Sequence, residues 1–408
     1  MDFKDSPEDA RYRAQVREWL GAHAPKHGFP LDPEAPDYLR RAKAWQAEKA
    51  AAGYACITWP KAWGGQGGTP IQNVIYSEEE ASFHTPVGLF SIGLGMCLPT
   101  IIAVGHEATK ARFVGPALRG GEVWCQLFSE PSGGSDLAAV RTRAVRAADG
   151  SGDWIINGQK VWTTGAQHAD FGIILTRTDP AVPKHKGMTM FWVDMHDPGV
   201  EVRPIHQMSG GSKFNEVFLT DVRVKDGQRL GAVGDGWKVS LVTLMNERLS
   251  VSGGGHANWS QFMQAARDTP ADGGRTALQE PALREKLADW YVLAEGVRHV
   301  RNRTMTALSR GQTPGPEGSI GKLVLTSYIH DMANQAVEML DLFGVIDDPE
   351  AAPADRALHA ALLTMPGIRL GGGTDEILRN IIAERVLGLP GEIRVDKDVA
   401  FQDLPAGR

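Results

Sequence analysis

The sequence predicts an α+β protein whose elements run helical, then β, then helical. Two changes of period carry that prediction. Apolar residues recur at helical spacing as far as about Leu118, then give way at Glu122 to short alternating runs split by turns, which continue to about Leu230. Helical periodicity returns from Gly236 and persists to Leu387. The expected organisation is an N-terminal helical domain over 1–121, a middle antiparallel β domain over 122–232, a C-terminal four-helix bundle over 233–390 and a tail over 391–408. The tail reads as loose surface chain.

Length and composition agree with a globular protein built round a large core: 408 residues, 42% hydrophobic and 23% charged. A net charge of −6 argues against nucleic acid or an anionic membrane as partner. Cys56, Cys97 and Cys125 sit in apolar contexts without CxxC spacing and read as free thiols of a reducing compartment. The first eighteen residues mix both charge signs and lack an apolar region, so no signal peptide is expected. No run approaches the ~18 apolar residues of a membrane span. A cytoplasmic location follows. His106-Glu107 has no second histidine, and no metal site is expected.

Along the chain, Val16, Trp19 and Leu20 recur at helical spacing within an amphipathic stretch over 7–60, and residues 40–52 are Ala-rich. A Gly/aromatic loop spans Trp59 to Gly68, and helix resumes from Ile71 to Leu118 with interruptions near Pro86 and Pro99. In the β block, Asn157-Gly158 separates two strand-like runs and reads as a hairpin turn. Further strands are expected at Phe171–Thr176, Met188–Asp194 and Val217–Val224. The last helices are expected over Gly236–Ala266, Pro281–Arg310, Ile320–Leu342 and Asp375–Leu387, with a flexible stretch at Asp268–Gly274.

Two motifs in the β block carry chemistry. The run from Gln126 to Asp136, Gln-Leu-Phe-Ser-Glu-Pro-Ser-Gly-Gly-Ser-Asp, leaves a strand and turns sharply, aiming N–H groups and small hydroxyls at one spot. About thirty residues on, Lys160-Val161-Trp162-Thr163-Thr164-Gly165 puts Trp162 and Thr164 on one strand face by alternation. Together they suit a flat, hydrogen-bonding, redox-active ring. Taken singly, such serines are more often turn-formers and such a tryptophan a core aromatic.

In this order and frame, the two motifs resemble the acyl-CoA dehydrogenase family. Phe214-Asn215-Glu216-Val217 and the run from Gly371-Gly372-Gly373-Thr374-Asp375-Glu376 to Leu389-Pro390 support the likeness, which covers nearly the whole chain. It implies FAD-dependent α,β-dehydrogenation of an acyl-CoA. Gln126, Phe128 and Ser129 would meet the flavin pyrimidine edge. Ser135 would face the diphosphate, with Gly134 beside it. Trp162 would pack along the ring and Thr164 would lie near N5. Thr374 and Glu376 would make further FAD contacts.

Many members carry the catalytic base just before the Gly-Thr of the C-terminal motif; here that position is Gly372. A second arrangement in the family puts the base on the first helix after the β domain, where this chain has Asn246-Glu247-Arg248-Leu249. Glu247 is therefore the expected base. Leu244 and Val251 flank it at helical spacing, at the edge of a stripe with Trp237 and Leu241, where desolvation would raise its pKa. Arg248 and the Gly372 backbone are expected at the substrate. The family's Arg-x-x-Phe-Gly segment is replaced by Pro270–Gly274, and its Gly-rich FAD segment by Glu338–Gly344, so a different subunit could complete the cofactor site. The resemblance further implies an electron-transfer flavoprotein as acceptor and a homo- or hetero-oligomer. An oxidase or monooxygenase on the same fold, or a non-catalytic partner subunit, are the alternatives.

Overall fold

The computed structural model describes residues 5–24, 35–83, 85–86, 88–250, 259–310, 312, 315–346 and 356–405. The chain divides into two compact units, Asp5–Gly253 with Ile393–Arg408, and Gly254–Glu392.

The first unit opens with helices α1 (Pro7–His23), α2 (Tyr38–Ala52), α3 (Pro70–Glu80), α4 (Gly88–Ile92), α5 (Leu98–Val104) and α6 (Glu107–Leu118). Their ends follow local chemistry. Ser6 accepts from the Asp9 N–H to cap α1, and Thr69 with Gln72 closes a capping box on α3. Pro99 follows a π-turn over Gly93–Cys97 that joins α4 to α5 without a break, and the widened turn accommodates its missing N–H. Val16, Leu20, Trp45, Ile57 and Tyr76 share one buried cluster.

The β region comprises β1 (Trp124–Leu127), β2 (Arg143–Arg146), β3 (Trp154–Thr164), β4 (Phe171–Arg177), β5 (Met188–Asp194), β6 (Val200–Ile205), β7 (Phe214–Val224) and β8 (Arg229–Leu230). The sheet runs β6-β7-β3-β2-β4-β5-β8, with β1 beside β4. Most pairs are antiparallel, but β1–β4 and β2–β4 are parallel. One expectation fails here. Asn157-Gly158 makes no hairpin; β3 runs straight through it for 11 residues. Gly158 is needed for close approach, because a Cβ there would lie 2.4 Å from Thr142 Oγ1. Asn157 donates to the Asp221 carboxylate and accepts from the Asp221 N–H, fixing a left-handed residue (φ 51°) on β7.

Helix α7 (Gly236–Ser250) packs within this unit. Among its described side chains Val239, Ser240 and Thr243 are buried, and the Thr243 hydroxyl lies 2.9 Å from that of Thr100. The expected stripe divides: Trp237 and Leu244 pack against the core, whereas Leu241 is exposed. Small residues face inward because α7 lies close against the preceding helices and sheet.

The tail also departs from expectation. Residues 396–405 are not loose chain but dock on the β region. The Phe401 N–H donates to the Val182 carbonyl (2.9 Å), the Gln402 N–H donates to the Pro180 carbonyl (3.0 Å), and Ala400 bridges to Pro183.

The second unit holds α8 (Trp259–Asp268), β9 (Pro270–Ala271), β10 (Arg275–Thr276), α9 (Pro281–Ser309), α10 (Gly318–Leu340), α11 (Arg356–Leu370) and α12 (Asp375–Ile381). Phe262, Trp290, Met332, Leu358 and Met365 draw α8 to α11 round one core. Helix α11 carries Pro366 in its body, which obscured its pattern in the sequence. The stretch expected to be flexible at Asp268–Gly274 instead leads into the small antiparallel pair of β9 and β10.

Candidate active site

The Ser129–Asp136 turn closes on itself: the Glu130 N–H donates to the Gly133 carbonyl (2.9 Å), and the Gly133 N–H returns to Glu130 (3.0 Å). The Glu130 side chain points into the protein. Its carboxylate accepts from the N–H groups of Arg141 (2.6 Å) and Thr142 (3.0 Å) and from Lys160 Nζ (2.8 Å). Lys160 is wholly buried and also donates to the carbonyls of Phe128 (3.1 Å) and Leu175 (2.7 Å). Burial works to raise the Glu130 carboxyl, but the Lys160 charge and the donated hydrogen bonds outweigh it and hold it below its ordinary range. Burial pulls Lys160 down, against the pull of Glu130. This ion pair ties the turn to the sheet interior. Neither residue stood out in the sequence, although Lys160 falls in phase with the buried Ile156 and was open to detection as a charge on a core face.

The second motif is shaped by a β-bulge. Lys160 pairs with Val217 and Thr163 with Asn215, so three steps on β3 match two on β7. Trp162 takes φ 61°, a left-handed conformation that costs a bulky residue about 1–3 kcal/mol. The extra residue reverses the alternation: Trp154, Ile156 and Lys160 face inward before it, and Thr163 after it. Trp162 and Thr164 do share a face, but through the bulge rather than through unbroken alternation. An unbulged strand would aim Trp162 where Lys160 points. Instead the indole is 59% exposed, edge-on to Phe214 at 6.1 Å. The Val161 N–H donates to the Ser129 carbonyl (2.9 Å), joining the bulge to the turn. Buried Asn215 donates to the Thr163 carbonyl (3.0 Å) and to Gln167 (2.6 Å), holding the strand beyond the bulge. Its role was hidden in the sequence behind an ordinary strand pattern.

Around this wall the side chains of Gln126, Ser129, Ser135 and Thr164 form no hydrogen bond among the described residues, and none is buried. Phe128 is buried beneath the turn, and Gly134 is exposed at its tip. Unpaired amide and hydroxyl groups beside a bare aromatic face fit a flavin, whose ring has polar edges and apolar faces. The residues present therefore match that group.

Glu247 and Arg248 lie in the last turn of α7, and their side chains fall outside the described residues. Gly372, Thr374 and Glu376 belong to the other unit, at the turn from α11 to α12. There Lys322 of α10 donates to the carbonyls of Gly371 and Gly373, on either side of Gly372, which has φ 67°. Arg369 pairs with buried Asp375 and also meets His330 at 3.1 Å. Thr374 caps α12 by accepting from the Ile377 N–H at 3.3 Å, and Glu376 is exposed. No carboxylate stands at Gly372 itself.

Comparison with known proteins identifies the family. The acyl-CoA dehydrogenase N-terminal, middle and C-terminal domain models match residues 6–121, 125–222 and 234–387. Acyl-CoA dehydrogenase IpdE1 of Mycolicibacterium smegmatis is 33% identical over 403 residues, covering 95% of this chain and 99% of that one. The chain belongs to the acyl-CoA dehydrogenase family. By membership it is an enzyme of the flavin-dependent CH–CH oxidoreductase class. Acyl-CoA dehydrogenase FadE34 of Mycobacterium tuberculosis is 37% identical across 93% of this chain, which spans only 51% of FadE34. Among solved structures, the Tcur3481-Tcur3483 steroid ACAD superposes with a TM-score of 0.79 at 25% identity, over 96% of this chain and 100% of that one. The ChsE4-ChsE5 complex from Mycobacterium tuberculosis gives a TM-score of 0.76 at 26% identity, over 96% and 100%. The family's helical and β domains are the ones described above. No helix among the described residues is long and apolar enough to cross a membrane.

Proposed function

We propose that this chain catalyses α,β-dehydrogenation of an acyl-CoA thioester, with Glu247 removing the α proton. FAD, when bound, supplies the acceptor for the β hydrogen, taken as hydride. The single observation that carries the reading is the bulge-presented Trp162 beside unpaired Gln126, Ser129, Ser135 and Thr164. Gln126, Ser129 and Thr164 offer hydrogen bonds to the ring edge, Trp162 covers a ring flank and excludes water there, and Ser135 with Gly134 serves the diphosphate. Phe128 supports the turn from beneath. Thr374 and Glu376 are proposed as further cofactor contacts.

Glu247 is the proposed base because the position used by many relatives is a glycine here. It lies one helical turn beyond Thr243, on a helix that buries Val239, Ser240 and Thr243. Charge developing on the thioester carbonyl needs a hydrogen-bond donor before the α proton becomes acidic. The Gly372 N–H is proposed for that, with Lys322 orienting its peptide through the Gly371 carbonyl. Arg248 is proposed as a substrate contact. A branched or polycyclic acyl group fits the missing side chain at Gly372, and a steroid enzyme stands among the structural neighbours.

An electron-transfer flavoprotein is the proposed acceptor. The proposed assembly is a homo- or hetero-oligomer, a dimer or tetramer, and a different subunit is favoured because both structural neighbours above are named as pairs of proteins. Exposed Leu342, Phe343 and Val345 offer apolar surface for it. A cytoplasmic location is retained as part of the proposal.

Anaerobic titration of the yellow protein with a panel of acyl-CoAs tests the reading. Bleaching of the flavin by bulky acyl-CoAs is expected, and Glu247→Ala should abolish it while FAD stays bound. Bleaching retained in that variant moves the base elsewhere, with Glu376 the next candidate. Stoichiometric oxygen consumption during turnover would instead favour an oxidase.

A further inference from the structure

The docked tail meets the stretch that follows Ser135. Lys184, on the loop between β4 and β5, is buried, and its ammonium lies 2.6 Å from Asp136 and 2.6 Å from Asp396 of the tail. One cation thus ties the last residue of the Ser129–Asp136 turn to the C-terminal segment. Arg394 adds a pair to Asp396 at 3.2 Å.

A second anchor stands five residues on. The Phe401 ring lies 3.9 Å from the guanidinium of Arg177 and 5.6 Å from that of Arg141. Arg177 is buried and donates to the carbonyls of Ala138 (2.5 Å), Lys184 (2.6 Å) and Val140 (3.4 Å). Among the described residues it forms no ion pair, and burial pulls it down to about 10. An aromatic face against a desolvated guanidinium offsets that cost through the ring quadrupole. The same Arg177 holds the backbone just after the turn, so Phe401 acts on it through one intermediary.

We propose that the C-terminal segment is a strap that positions the cofactor turn, with Asp396 and Phe401 fixing the backbone from Asp136 to Val140 and thereby setting Ser135 toward the FAD diphosphate. The proposal rests on the functional reading above for the identity of the ligand at Ser135. The strap itself is independent of that identity. Asp396 and Phe401 touch no reacting atom and are positioning residues.

The test compares the intact chain with a chain ending at Glu392 and with full chains carrying Asp396→Asn, Asp396→Glu or Phe401→Ala. The first measurement is amide hydrogen exchange in protein stripped of FAD. Exchange across Asp136–Val140 should accelerate in the truncated, Asn and Ala proteins, while β5 and β7 stay protected; Asp396→Glu should restore most of the protection. The second is the FAD dissociation constant, expected to rise roughly tenfold on truncation, as for the loss of an ion pair and a cation–π contact. A protein that merely lost stability would show faster exchange throughout the sheet, and that result overturns the proposal. So does a folded truncated chain whose FAD affinity stays within twofold of the intact one. Failure of the intact chain to bind FAD both alone and with its partner subunit overturns the functional reading instead, and the exchange pattern then judges the strap alone.

Discussion

Two glycine-rich turns carry candidate site residues, and they are held by opposite means. The Ser129–Asp136 turn is anchored by a charge pair inside the sheet, Glu130 with Lys160, where neither side chain reaches water appreciably. The Gly371–Thr374 turn is anchored by cations that reach backbone carbonyls or a single carboxylate from partly exposed helix surfaces, Lys322 and Arg369. The first turn is rooted in the core by Glu130, although its residues from Pro131 to Asp136 face outward. The second holds backbone in place while leaving the side chain at Gly372 free to vary. A turn of that kind can lose a carboxylate without losing its shape, which is consistent with the base lying elsewhere.

The comparison breaks most sharply at the buried pair. Glu130→Gln leaves Lys160 charged in the interior and should destabilise the first unit by about 3–5 kcal/mol in denaturant unfolding. A loss under about 1 kcal/mol would show that water reaches the pair. The pH response follows in sign. Glu130 has a folded-state pKa below its unfolded value, so its stabilisation is present above about pH 4.3 and is lost as pH falls through the lower, folded value. The denaturant unfolding free energies of the wild type and Glu130→Gln should therefore converge as pH falls through that value.

The α11–α12 turn should respond less. Lys322→Met removes two charge-assisted hydrogen bonds from partly exposed positions and should cost about 1–2 kcal/mol. If Lys322 orients the Gly372 peptide, kcat should fall more than KM rises. Equal stability losses at Lys322 and Glu130 would erase the contrast between the turns.

The smallest effect is expected at the bulge. Trp162→Gly relieves a left-handed φ on an exposed residue, so thermal unfolding should show stability unchanged or raised by about 1 kcal/mol. FAD affinity should fall in the same protein. A clear loss of stability would mean that the indole is held for packing against Phe214 rather than for a ligand.

The fold and the motifs of the candidate site were legible because their signals are local. Turn residues, the Trp-x-Thr pair and the order of helical and strand periods are written in short windows, and the family follows from their combination. The departures all arise where distant segments meet. Asn157-Gly158 carries a hairpin signal, yet the glycine answers to Thr142, just before the neighbouring strand β2, and the asparagine to Asp221. The tail carries no strong pattern, yet Lys184 and Arg177 give Asp396 and Phe401 a place to bind.

By itself the sequence determined the helical–β–helical order, the polar turn, the residue types offered to a flavin and the absence of a carboxylate at Gly372. Only the tertiary structure decided that Lys160 is a buried counter-ion, that a bulge turns Trp162 outward, that α7 buries Val239, Ser240 and Thr243 while leaving Leu241 exposed, and that the tail docks beside the Ser129–Asp136 turn. The physical reason is the same in each case. Periodicity assigns a residue to a face, but its partner across that face comes from another part of the chain, and desolvation and pairing are set by the partner.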